Sequence, residues 1–180
     1  MRAADPGALV CGPDLAHLSS SDWDGWLSRV ITEAGHVLDV VTHHLYSSYG
    51  RAFEVIYDLE EKPSLPFSSP SVRQLLENTG WWGRPFWLTE TGLQGSEYGK
   101  NDQADFYEEL LEDCFGLQAA AWWVDRIFFY HLHDAPDPAP TSFGILHGLP
   151  DLTRKPAFYS YRAFIADAIV DDAELVEVGL

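Results

Sequence analysis

Apolar positions along this chain follow two rhythms in turn. Short β-branched or aromatic runs, each closed by Gly, Pro or a polar cluster, alternate with stretches whose apolar residues fall three and four apart. The first rhythm fits buried parallel strands and the second amphipathic helices. Ala8 to Cys11 (ALVC), closed by Gly12 and Pro13, is read as the first strand. Ser20, Ser21 or Asp22 then caps a helix to about Ala34, with Trp23, Trp26, Leu27, Val30 and Ile31 on one face and Gly35 as its stop. Val37 to Thr42 (VLDVVT) is the second strand, followed by a long loop from Arg51 to Pro70 with one helical turn near Phe53 to Leu59, and by a helix from Ser71 to Asn78. Pro85 to Thr89 (PFWLT) is the third strand, and Asn101 or Asp102 starts a helix to Phe115. Ile127 to Leu132 (IFFYHL) is the fourth, followed by a Pro-rich loop, a helix from Pro156 to Ala168 and a polar tail over 171–180. Four β/α units in alternation predict one α/β domain over residues 1–180, with parallel strands and right-handed crossovers.

Length changes the picture. A chain of 180 residues supports a core but falls short of the roughly 250 residues of a complete eight-stranded α/β barrel. Hydrophobic residues at 46% and seven Trp argue against extended disorder. The formal charge of −17 repels nucleic acid and anionic membranes, so neither is an expected partner, while an uncharged sugar is tolerated. Cys11 and Cys114 are too few and too far apart for a disulfide framework and are expected as free thiols. Residues Met1 to Leu9 do not read as a secretory leader, and no run approaches 18 apolar residues. The cytoplasm is the default expectation.

In a parallel α/β barrel, polar groups at the C-terminal strand ends build the site. Four groups fall there: Asp14 with His17; His43, His44 and Tyr46; Glu90; and His131, His133 and Asp134. The segment PFWLTETG around Glu90 resembles the nucleophile strand of the clan A (β/α)8-barrel retaining glycoside hydrolases. THHLY, one unit earlier, is similar to that clan's sixth-strand segment, LVCGPDLA to its fifth strand, and FGILHGLPDLTRKPAFYSYRAF to the stretch after its eighth. The likeness is greatest to the beta-xylosidase, iduronidase and endoglucanase types, and it maps nearly the whole chain onto strands five to eight, half of a TIM barrel.

The resemblance implies a glycosidase acting on O-glycosidic, beta-linked bonds of plant-type oligo- or polysaccharides, cellulase-like and without a cofactor or metal. Glu90 is then the nucleophile, and His44 and Tyr46 orient it or bind substrate; Asp14, His43, His131 and His133 are expected in the substrate site from their place at the strand ends, although relatives of this kind often carry a sugar-stacking Trp where this chain has His131 and His133. Trp81 to Trp87, with Trp87 foremost, shape its wall. Retention needs a second carboxyl about 5 to 5.5 Å from the first, yet the Asn-Glu-Pro type segment that supplies it in the clan does not occur in these residues. Two copies closing one barrel would bring the partner's last strand beside the opposite Glu90, which makes Asp134 the candidate acid and a homodimer the expected assembly. Two alternatives stay open. One is a carbohydrate-binding or truncated half barrel without catalysis, and the other a metal-dependent hydrolase using His43, His44, His131, His133 and Asp134.

Overall fold

The computed structural model describes residues 4–16, 22–61, 70–135 and 142–176, with side chains in the last helix described as far as Asp167. Four strands form one parallel sheet in the order β1-β2-β3-β4: β1 Cys11–Ala16, β2 Val40–His44, β3 Phe86–Thr91 and β4 Arg126–Phe129. The helices are α1 Trp23–Ala34, α2 Ala52–Glu60, α3 Val72–Asn78, α4 Gly95–Tyr98, α5 Lys100–Phe115 and α6 Pro156–Val176, with a 3-10 turn at Gly35–Val37. This is the α/β arrangement of half a (β/α)8 barrel, with β1 and β4 at the open edges. Among the described residues no helix is long and apolar enough to cross a membrane, and Cys11 and Cys114 are free thiols.

Strand boundaries differ from the sequence expectation by one to five residues. The first strand begins where its predicted run ends and continues through Gly12 and Pro13 to Ala16. An edge strand tolerates proline because its missing N–H faces no neighbour, and Val10, just before the strand, is held by Asp39, whose carboxylate accepts from the Val10 N–H at 2.7 Å. The second strand starts late because Gly35–Val37 turns before it, and it carries His43 and His44 within itself. The loop after β2 holds a nine-residue helix, α2, in place of the single turn expected. The predicted polar tail is helical as far as Val176. His17, Ser20, Ser21 and residues 136–141 of the Pro-rich loop lie outside the described residues.

One face of the sheet packs under the helices. Phe86 and Leu88 of β3 point there, joining Leu27 and Ile31 of α1, Val55 and Leu59 of α2, Leu75 and Leu76 of α3, and Phe106 and Leu110 of α5 in one buried cluster. Each such side chain contributes roughly 1.5–3 kcal/mol of burial. The opposite face carries Trp87 and Phe128, ring centroids 6.0 Å apart, with the Arg126 guanidinium 4.8 Å above Trp87. Phe128 is 45% exposed, so that face lacks a complete apolar cover.

Ser71 joins α2 to α3. Its hydroxyl accepts from the Gln74 N–H at 3.2 Å and donates to the Glu60 carbonyl at 3.2 Å, and the Gln74 side chain accepts from the Ser71 N–H at 3.3 Å. This capping box satisfies helix-end groups reciprocally. Ser71→Ala is expected to lower stability by about 1–2 kcal/mol, read as a lower urea midpoint with an unchanged slope.

Candidate active site

The C-terminal ends of the strands are where the ladders break. Pairing of β1 with β2 skips a residue between Pro13 and Leu15, that of β2 with β3 skips Thr89 opposite the His43–His44 step, and that of β3 with β4 shifts between Leu88 and Thr91. An extra residue in a ladder bends the strand and re-aims its side chains. The first break places Asp14 at φ 55°, a left-handed conformation that Asp tolerates better than most residues. The second lets both Thr89 and Glu90 reach the mouth, where strict alternation would turn one of them away.

Glu90 is held at both oxygens. His44 Nδ1 lies 2.7 Å from Oε2, and the Tyr46 hydroxyl donates to Oε1 at 2.7 Å. Behind His44, its Nε2 is 3.6 Å from Asp14 Oδ1. Asp14 in turn accepts from the Thr89 hydroxyl at 2.7 Å, and its own N–H donates to Thr42 Oγ1 at 3.0 Å. Burial alone would raise the Asp14 pKa, but the hydrogen bonds from Thr89 and Thr42 and the charge of His44 bring it below the ordinary carboxylate value. Asp14 is therefore ionised at neutral pH. Burial and the bond to Glu90 push the Tyr46 phenol far above its usual value, so it stays a donor throughout the working range. The result is a carboxylate with a fixed orientation, backed by an Asp–His pair.

Aromatic rings close one side. Phe143 meets Tyr46 edge-on at 5.6 Å and also packs against Tyr130 at 5.8 Å and His131 at 6.5 Å. Gly92 lies against the Tyr130 carbonyl, where a Cβ would come within 2.7 Å of its oxygen. Burial lowers the His131 pKa, which keeps the ring neutral, and its buried Nδ1 lacks a hydrogen-bond partner. A cavity of about 270 Å3 opens beside Tyr46, lined by Gln94, Glu97, Tyr98 and Phe143 among others. It is large enough for a small polar ligand.

The other expected site residues are distributed differently. His43 turns into the core and packs against Trp23 at 5.6 Å, so of the adjacent pair only His44 faces the mouth. Trp81 is buried beneath Arg84, and Trp82 precedes β3, at the end of the strand opposite Glu90. Neither shapes the wall of the mouth, and Trp87 lies lower on the sheet against Phe128. The Asp134 carboxylate is taken by the buried Lys155 ammonium at 2.9 Å and the Gly144 N–H at 3.0 Å, an ion pair rather than a free acid. His133 Nδ1 sits 2.9 Å from the Asp134 carbonyl. Among the described residues no three His, Cys, Asp or Glu gather as a metal-ligating set, so the five-residue His and Asp cluster does not assemble.

Gln103 was not singled out from the sequence. Wholly buried, its amide donates to the carbonyls of Leu93 at 2.8 Å and of Ser142 and Phe143 at 3.1 Å, which clamps the Phe143 loop to the end of β3. The available signal was a polar residue on the apolar stripe that Phe106, Tyr107 and Leu110 continue at helical spacing.

Removing one donor tests the orientation of Glu90. A hydrogen bond to a charged group is worth roughly 1.5–3 kcal/mol. Tyr46→Phe is therefore expected to slow any step that depends on an oriented Glu90 carboxylate roughly ten- to a hundredfold, with little change in thermal midpoint.

No family model matches the chain, and no curated protein matches it. Solved structures do. A glucosidase from Croceicoccus marinus aligns over 91% of this chain and 32% of its own at 16% identity, TM-score 0.62. A GH51 alpha-L-arabinofuranosidase from Thermotoga petrophila aligns over 89% and 32% at 18% identity, TM-score 0.60. A GH128 endo-beta-1,3-glucanase from Amycolatopsis mediterranei aligns over 87% and 58% at 22% identity, TM-score 0.57. The chain thus spans about a third of the first two proteins and somewhat over half of the third. The likeness is one of fold: four parallel β/α units within glycoside hydrolases.

Proposed function

We propose that this chain is the nucleophile-bearing half of a retaining glycoside hydrolase that acts on O-glycosidic bonds, beta-linked and of plant-type oligo- or polysaccharides, with Glu90 as the nucleophile. The observation that carries the reading is the pair of donors, His44 and Tyr46, on the two oxygens of one carboxylate at a strand end. They keep Glu90 aimed while leaving it reachable, its side chain 27% exposed. In the first displacement a Glu90 oxygen attacks the anomeric carbon as the leaving oxygen departs with a proton. In the second, water attacks the same carbon, loses a proton to a base and frees Glu90. The direct test is hydrolysis of an aryl glycoside panel by the wild type and Glu90→Ala.

Among the described residues the proton donor is unassigned. Asp14 is ionised and Asp134 is bound to Lys155, so neither of the two other strand-end carboxylates is poised to give a proton to a leaving group. A complementary half barrel would supply one. It would also pair the free edges of β1 and β4 and cover Trp87 and Phe128, which a parallel sheet otherwise leaves wet. In this proposal a second copy of the chain fills that role. Sedimentation velocity is expected to show a dimer of the 20.2 kDa chain at micromolar concentration, with specific activity rising with concentration across the dissociation range. A monomer with concentration-independent turnover would rule the dimer out. The catalytically silent, sugar-binding reading predicts binding with no turnover in either protein.

A further inference from the structure

The end of the sheet opposite Glu90 gathers three tryptophans that the proposed reaction does not use. Trp82 meets Trp123 at 5.5 Å and Trp122 at 6.3 Å, both edge-on, and the three line a cavity of about 210 Å3 with Gly83, Arg84 and Asp125. Phe86 begins β3 beside this cavity and Glu90 lies four residues on, roughly 13 Å away along the strand. The two places are physically separate.

The platform is built before any ligand arrives. Arg73 stacks its guanidinium 4.7 Å over Trp82, and the Trp123 indole N–H donates to Glu60. Arg84 lies 3.6 Å over Trp81 and donates to the Leu38 carbonyl at 3.3 Å, while Asp125 accepts from the Phe86 N–H at 2.8 Å. Both side chains are nonetheless exposed. Gly83, at φ 81°, has no atom within 4 Å of where a Cβ would stand, so the rim is open. Trp122 is 68% exposed, although a ring that size is ordinarily worth burying.

The chemistry selects the occupant. One guanidinium and one carboxylate offer donors and acceptors with no net local charge, next to a flat apolar ring. A purely apolar partner would strip water from Arg84 and Asp125 without replacing it, and the field of a chain at −17 opposes polyanions. A neutral sugar chain has both an apolar ring face for Trp122 and hydroxyls for Arg84 and Asp125. We propose that Trp82, Trp122, Arg84 and Asp125 form a second carbohydrate-binding site, for a neutral oligosaccharide, independent of Glu90.

The experiment titrates the full chain with cellohexaose, laminarihexaose and xylohexaose, by calorimetry and by tryptophan fluorescence. At least one hexaose is expected to bind the wild type and Glu90→Gln alike. Trp122→Ala should weaken that binding about tenfold or more, and Trp122→Tyr should restore most of it. Trp122→Ala should leave turnover of a small aryl glycoside unchanged, and its thermal midpoint close to wild type, since the ring is mostly in water. Absence of binding for all three hexaoses would overturn the proposal. So would equal binding by Trp122→Ala, or a wild-type dimer that becomes monomeric in Trp122→Ala, which would make the face a protein contact.

Discussion

Glu90→Ala is expected to reduce hydrolysis of an activated aryl glycoside by roughly 10⁴-fold or more, and added azide is expected to restore part of the rate. The phenolate leaves with little help from an acid, so the result does not depend on which group is the proton donor. Truncation removes the attacking oxygen but keeps His44 Nδ1 and the Tyr46 hydroxyl, which lie 2.7 Å from its two oxygens. A small anion can lodge between those donors and attack the anomeric carbon from the same face. Its product would be a glycosyl azide of inverted configuration, which chromatography and NMR would identify. The fold should survive, because water reaches the partly exposed site and satisfies both donors. Unchanged turnover in Glu90→Ala would eliminate Glu90 as nucleophile. No turnover in either protein would leave a half barrel that binds without cleaving.

Much of this arrangement is legible in the sequence because local pattern and tertiary packing agree. The runs around Val40, Phe86 and Ile127 are strands for the reason they read as strands, being apolar and bounded by turn residues. The start of α3 is marked by Ser71 and Gln74, whose reciprocal bonds are intrinsic to the helix end. Strand ends were less legible because a ladder break is set by the neighbouring strand. Nothing within residues 11–16 announces that Asp14 will bulge outward toward His44, or that the chain passes through Pro13 still paired. Trp81 and Trp82 illustrate a different limit. They stand close to Glu90 in sequence, yet an extended strand carries the chain across the whole sheet, so proximity along the chain becomes separation in space. Gln103 and Lys155 were missed because their partners are backbone carbonyls and a carboxylate ten to forty residues away. Only the closed fold brings those groups together.

Lys155 carries the second large expectation. It is 1% exposed, and its ammonium donates to Asp134 Oδ1 at 2.9 Å and to the Ser142 carbonyl at 2.9 Å. Asp134 Oδ1 also accepts from the Gly144 N–H, and the Lys155 N–H donates to the Ile145 carbonyl at 3.0 Å. The pair thereby ties the end of the β4 loop to residues 142–145 and to the start of α6. Breaking a buried pair by removing one member costs roughly 3–5 kcal/mol, because the other charge stays behind uncompensated. Lys155→Met should therefore lower stability by about that amount in urea unfolding, a large share of the roughly 5–15 kcal/mol available to a domain. Asp134→Asn should also destabilise. The double variant Asp134→Asn/Lys155→Met should lose less than the sum of the two singles, since it leaves no orphaned charge. Turnover separates this role from that of a proton donor. If Asp134 is a lock, Asp134→Asn lowers kcat/KM for an activated aryl glycoside and for an unactivated disaccharide in the same proportion. If it protonates the leaving group, the disaccharide alone falls, by roughly 10²- to 10⁴-fold, while the aryl glycoside is spared. The ion pair to a buried lysine favours the first outcome, and with it a donor supplied by the complementary half of the barrel.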